Sequence, residues 1–264
     1  MKLNTDKIIA EVENGIGWLT FNQPEKRNAM SLEMWQGTSD ALDAFAADPD
    51  VRVVVMKGAG DRAFVSGADI SQFEKSRSNA EVAEEYARIS GGARERLANI
   101  EKPLIAMIRG FCIGGGLAVA MAADFRISTD EAEFGIPAAR MGLVYPADAI
   151  KALVDLVGPG HARKILYTGR RMKAEEALRI GLIEEVTTPE KLDEVVRETA
   201  TLIANNAPLS IRGSKKIIGQ YLGRDRDLDF AAMEQLSNEA LDSNDYREGR
   251  TAFMEKRNPT FTGT

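Results

Sequence analysis

"GFCIGGGLAVAMAAD", residues 110–124, decides how the rest of the chain is read. It follows the apolar run "KPLIAMIRG" (102–110), which has the composition of a strand. Three consecutive glycines, Gly114, Gly115 and Gly116, then open a run of small apolar residues with the character of a helix. A helix N-terminus holds N–H groups that have no intrahelical acceptor, together with a partial positive charge. Glycine lets a ligand approach such a backbone with no Cβ in the way. A strand, a glycine turn and a helix in that order therefore make a candidate oxyanion or phosphate site. The same glycines suit close packing of a small-residue helix on a strand, and on the glycines alone both readings stand. The spacing matches neither a Walker loop nor the dinucleotide G-x-G-x-x-G pattern. The next positions, Leu117 and Ala118, carry no acid or base.

Composition sets the outer bounds. The chain has 264 residues, 44% hydrophobic and 28% charged, enough for a substantial core in one domain with or without a small appendage. No apolar run approaches the roughly 20 residues that span a bilayer. The opening "MKLNTDKIIAEVENG" lacks the apolar centre of a signal peptide, so a cytoplasmic location is expected. A single cysteine, Cys112, excludes an internal disulfide framework and a cysteine-cluster metal site. A net charge of −6 argues against nucleic acid or an anionic membrane as partner.

Along the chain, short strand-like runs alternate with helical patterns. "IGWLTFN" (16–22), "VRVVVMKG" (51–58) and "DFRISTD" (124–130) are strand-like. "SLEMWQGTSDALDAFAAD" (31–48) predicts a helix with Ser31 as N-cap. From about Pro146 the pattern is mainly helical. The expectation is an α/β unit over residues 1–200 followed by a helical region over 201–264. The polar stretch 71–86, "SQFEKSRSNAEVAEEY", is the most linker-like and is expected to be a loop near a site.

A second loop shifts the balance at the glycines. "GAGDRAFVSGADI" (58–70) follows a strand and contains Ser66-Gly67-Ala68-Asp69, a possible source of a second inward N–H. Two N–H groups from separate loops are what an acyl oxyanion hole needs. Here the chain resembles the crotonase, or enoyl-CoA hydratase/isomerase, superfamily. The resemblance rests on "NQPEKRNAM" (22–30), "RAFVSGADI" (62–70), "GFCIGGGLAVAMAADFRIS" (110–128), "FGIPAARMGL" (134–143), "TGRRMKAEEALRIGLIEEV" (168–186) and "REGRTAFMEKRNPTF" (247–261), in that order and over nearly the whole chain. It implies a spiral of ββα turns with a helical C-terminal region, an acyl-CoA thioester as substrate, and a trimer or hexamer. It implies no cofactor beyond the coenzyme A carried by the substrate. The oxyanion donors would be the backbone N–H groups of Ala68 and Gly115. Lys26, Arg27, Asn28 and Ala29 would border the pantetheine and phosphates, and Ser66, Ala68, Asp69 and Ile70 the adenine and thioester side. Phe253 and Lys256 would reach the nucleotide bound by a neighbouring subunit.

The departure from the pattern matters most. Hydratases of the family carry one glutamate two residues after the third glycine and another just after the proline of "FG-x-P". Here those positions are Ala118 and Ala138. A two-carboxylate addition of water has lost both proton carriers. Tyr145, just ahead of Pro146 at a helix entrance, is the polar residue best placed to substitute. A family decarboxylase acting on methylmalonyl-CoA also has a tyrosine there, and loss of CO₂ makes an enolate without a base. That enzyme has a histidine where this chain has Ala68, so the match is partial. Other side chains have simpler readings. His161 is remote from the motifs, Cys112 fits a buried apolar slot, and Asp69 and Asp124 look structural. Asp148 either faces the pocket or serves as a dipole partner in the first turn of a helix, and Arg140 pairs either with a substrate carboxylate or, as expected, with Glu133. Three classes follow: an acyl-CoA lyase or isomerase, a non-catalytic acyl-CoA binder, and an RNA-binding relative that the acidic balance disfavours.

Overall fold

One unit is wound three times: a strand in a first sheet, a strand in a second, then a helix. The computed structural model describes residues 1, 3–69, 80–141, 144–222, 232, 235, 238–239 and 242–264. An antiparallel pair, β1 (Ile8–Glu13) and β2 (Ile16–Phe21), and helix α1 (Leu32–Ala47) lead in. The units are then β3 (Val53–Gly58), β4 (Ala63–Val65) and α2 (Ala80–Asn99); β5 (Leu104–Ile108), β6 (Phe111–Ile113) and α3 (Gly115–Met121); and β7 (Phe125–Thr129), β8 (Glu133–Gly135) and α4 (Ala147–Thr168). The chain continues through β9 (Arg171–Lys173), α5 (Ala174–Arg179), β10 (Glu185–Thr187), α6 (Leu192–Ala204), α7 (Pro208–Leu222) and α8 (Asn244–Glu255). The six-stranded sheet has the order β1-β2-β3-β5-β7-β10, and the four-stranded sheet β4-β6-β8-β9. From β2 to β10 all neighbours in the first sheet are parallel, as crossover connections require. This is the expected spiral.

The first sheet is buried on both faces, which is why β3 reads "VVVM" without a polar break. Alternate residues serve different cores. Val54, Met56, Leu104, Ala106 and Ile108 join the main core with Met34, Leu42 and Phe45 of α1. Val53, Val55, Ile105 and Met107 face Leu192, Val196 and Ala200 of α6. Ser31 caps α1 as expected, its hydroxyl accepting from the Met34 N–H at 3.2 Å, a contact worth about 1 kcal/mol.

One expectation changes. From Ala80 onward the presumed polar loop is the 20-residue helix α2, while residues 71–79 lie outside the described set. Residue 200 lies within α6. Among the described residues no helix is long and apolar enough to cross a membrane.

Candidate active site

The centre of the site is the turn from β6 into α3. Gly114 sits at φ 54°, ψ −118°, a conformation that requires glycine. Its N–H donates to Gly135 O at 2.8 Å, and its carbonyl accepts the Ala118 N–H at 3.1 Å and the Tyr145 hydroxyl at 2.8 Å. Gly116 allows α3 to rest on β4, because a Cβ there would lie 1.9 Å from Val65 O. A Cβ on Gly115, by contrast, would stand 3.7 Å from the Ala68 nitrogen, in ordinary contact. The Gly115 and Ala68 amides are therefore neighbours although 47 positions separate them (115 − 68).

The Ala68 amide is presented by a single bridge. Met30 N–H donates to Gly67 O at 2.8 Å and Asp69 N–H to Met30 O at 2.9 Å. Strand alternation turns the intervening Ala68 N–H away from Met30, and it meets no backbone acceptor among the described residues. Gly115, as the first residue of α3, has no intrahelical acceptor for its own N–H. Two adjacent backbone donors of this kind can hold one carbonyl oxygen and favour negative charge on it.

The same bridge joins two segments singled out from sequence. Ser66 N–H donates to Arg27 O at 3.1 Å, Ser66 Oγ to Lys26 O at 3.5 Å, and Lys26 Nζ reaches the buried Asp69 carboxylate at 2.8 Å. Arg27, in the left-handed region at φ 54°, lies 5.3 Å from the Phe111 ring centre in a cation–π contact. Asn28 is fully buried. Its side chain accepts from Gln23 N–H at 2.9 Å and donates to Ala59 O and Ala63 O at 3.0 and 2.8 Å. That position ties the loop together and leaves no side-chain amide for a ligand. Ala29 is buried beside it. Ile70 lies outside the described residues. Phe253 is on α8, with its side chain outside the described set, and Lys256 is exposed just past that helix.

Ala118 and Ala138 are half-buried, Ala118 on α3 and Ala138 in the short 3-10 turn Ala138–Met141. The Pro137 ring stands 3.9 Å from where a Gly114 Cβ would be, which brings the "FGIPAAR" segment to the turn. Tyr145 is buried, and its hydroxyl reaches the Gly114 carbonyl. Burial raises its pKa far above the usual phenol range, so it stays protonated, and its proton is engaged with Gly114 O. Arg94 of α2 pairs with Asp148 of α4 at 3.2 Å, and both charges act on the Tyr145 hydroxyl. Arg94 carried no signal in the sequence.

The Arg140–Glu133 pair does not form. Glu133 binds Lys173 at 2.6 Å and Arg171 at 3.3 Å, the Lys173 hydrogen bond being the main cause that holds its carboxyl below the ordinary range. Arg140 instead packs along Gly169. The reason is register: β8 runs antiparallel to β9 with Glu133 opposite Lys173. His161 is exposed on α4, and Cys112 is a free, buried thiol whose pKa burial raises. Asp124 accepts from Leu104 N–H at 2.7 Å and pairs with Lys215 at 2.9 Å, a structural role. Among the described residues no three histidine, cysteine or carboxylate side chains cluster as for a metal.

Comparison with known proteins agrees with this fold. The family model for enoyl-CoA hydratase/isomerase matches residues 11–264. A short-chain-enoyl-CoA hydratase of Clostridium acetobutylicum is 34% identical over 97% of this chain and 97% of its own. A crotonyl-CoA hydratase of Syntrophomonas wolfei is 35% identical over 97% and 98%. A crystal structure of an enoyl-CoA hydratase/carnithine racemase from Magnetospirillum magneticum superposes with TM-score 0.94 at 35% identity, over 99% of this chain and 97% of that one. A spiral that brings two lone amides from separate loops together, matched end to end by these relatives, places the chain in the enoyl-CoA hydratase/isomerase family of the crotonase superfamily.

Proposed function

We propose that this protein is an acyl-CoA enzyme that binds its thioester carbonyl between the Ala68 and Gly115 N–H groups and stabilises the enolate formed there. The observation that carries this reading is the adjacency of those two amides, neither spent on a backbone acceptor. The thioester oxygen gains negative charge as the α-carbon becomes nucleophilic, and preorganised donors lower that barrier without reorganising. Lys26, Arg27, Ser66 and Asp69 form the coenzyme A side, joined by the bonds between the two loops.

The enzyme is a weak classical hydratase. With alanine at 118 and 138, no carboxylate on those positions can activate water or protonate carbon. Each positioned acid or base is worth about 10²- to 10⁴-fold. Tyr145 does not replace them as a base, since it stays protonated. Its hydroxyl steadies the Gly114 carbonyl and so sets the Gly115 amide, which makes it a positioning residue. Chemistry that makes an enolate without removing a proton, as in loss of CO₂ from a malonyl-type thioester, suits such a site. In a trimer or hexamer, Phe253 and Lys256 complete a neighbour's nucleotide site.

The test is a turnover comparison across crotonyl-CoA, a 3-enoyl-CoA and methylmalonyl-CoA, with light scattering for assembly. Crotonyl-CoA hydration several orders of magnitude below about 10 s⁻¹ is expected, with measurable coenzyme A thioester binding. Hydration at ordinary enzyme rates defeats the weak-hydratase reading. No thioester binding at millimolar ligand defeats the acyl-CoA reading, and a monomer defeats the shared nucleotide site.

A further inference from the structure

The half-buried positions of α3 are Gly115, Ala118 and, one residue past its end, Ala122, which share one face of the helix by their spacing. Two residues of that face, Ala118 and Ala122, line a cavity of about 750 Å³ between α2, α4 and α7. Met121, Arg94 and Asp148 line it as well. Ala118, one helical turn from Gly115 on the same face, is thus the residue through which the amide pair and this cavity are neighbours.

The cations around this cavity differ in how far their donors are committed. Lys151 is bound by Asp155 and the Leu222 carbonyl, and Lys215 by Asp124 and the Lys102 carbonyl. Arg126 is buried against Glu184 and the Ala123 carbonyl. Arg94 has one acceptor, Asp148, reached from Nε at 3.2 Å, and no other hydrogen-bond partner among the described residues. A guanidinium carries five donors in a planar fork suited to a carboxylate. Its pair with Asp148 is solvent-exposed, with side chains 32% and 59% accessible, and such pairs are worth about 0–1 kcal/mol. A ligand carboxylate can therefore take the free edge of the fork, or displace Asp148, at small cost.

We propose that this cavity is a subsite for the far end of the acyl group, that Arg94 binds a carboxylate there, and that the substrates are coenzyme A monothioesters of dicarboxylic acids. The proposal rests on the acyl-CoA reading of the Ala68–Gly115 site and adds the acyl class. Asp148 competes with the substrate for Arg94, so the two residues have opposite effects on selectivity.

Calorimetry with glutaryl-CoA and its uncharged counterpart pentanoyl-CoA tests this, since neither saturated chain can be hydrated. Wild-type protein is expected to bind glutaryl-CoA about tenfold or more tighter. Arg94→Met should erase that preference while moving pentanoyl-CoA affinity by less than about threefold, and Arg94→Lys should restore part of it. Asp148→Asn should enlarge the preference, an outcome that a purely structural ion pair would not give. Equal affinities in the wild type, or a preference that survives Arg94→Met, overturns the subsite while leaving the acyl-CoA site intact. Failure of both thioesters to bind removes the acyl-CoA reading and the subsite with it.

Discussion

The two faces of α3 are built from the same residue types and do opposite things. On the inner face, Gly116, Leu117 and Ala120 are buried, and the helix touches β4 at backbone distance. On the outer face, Gly115 and Ala118 are half-buried, and a Gly115 Cβ would meet the Ala68 nitrogen only at 3.7 Å, in ordinary contact. Small residues inside let the helix come close to a strand. Small residues outside leave room for a ligand. Neighbouring glycines thus differ in whether an added methyl overlaps a backbone carbonyl or only reaches ordinary contact distance.

The largest expected effect breaks the inner face. Gly116→Ala forces a methyl onto the Val65 carbonyl and should cost about 3 kcal/mol or more of unfolding free energy, seen as a lowered urea midpoint. A midpoint close to wild type would mean that α3 can lift from β4 freely. Gly115→Ala should leave that midpoint nearly unchanged, because its contacts are ordinary. It crowds the Ala68 donor instead, and kcat/KM on whichever thioester is turned over should fall about 10²- to 10³-fold. Equal activity would show that the two amides do not share an oxygen.

The double change Ala118→Glu with Ala138→Glu sharpens the comparison in the other direction. It places carboxylates on the open side and should raise crotonyl-CoA hydration about 100-fold, measured by loss of the enoyl absorbance. A flat response would show that these positions do not face the acyl group. The smallest effect is expected from Tyr145→Phe. One hydrogen bond to Gly114 O is lost, worth about 1 kcal/mol of stability. Turnover should fall about tenfold or more while thioester affinity holds, as befits a residue that orients the Gly115 amide. Unchanged kcat would reduce Tyr145 to packing.

Much of this comparison was legible in the sequence, but not all of it. The Gly114–Gly116 turn, the capped helix at Ser31 and the strands of the first sheet follow from local rules of conformation and alternation. The spiral itself came from the resemblance, since residue patterns do not state which strands pair. Helix α2 was hidden because Gly91 and Gly92 interrupt its pattern and its charged residues mimic a loop; among the described side chains its buried apolar anchors are Ala93 and Leu97. Arg94 went unnoticed with it, because its partner lies 54 residues away on another helix. The Glu133 misassignment has the same origin: nearness along the chain suggested Arg140, while sheet register chose Lys173. The place of Tyr145 at a helix entrance was legible, yet the reach of its hydroxyl to the Gly114 carbonyl required the fold.

Gly116 also bears on how the gene can change. Every other amino acid brings a Cβ, and here that first carbon would fall 1.9 Å from the Val65 carbonyl. No missense codon at this position is conservative, however small or apolar its product. Ala118 already carries a Cβ and lines a cavity, so variation at that codon is a question of size, while the codon two places earlier admits no side chain at all.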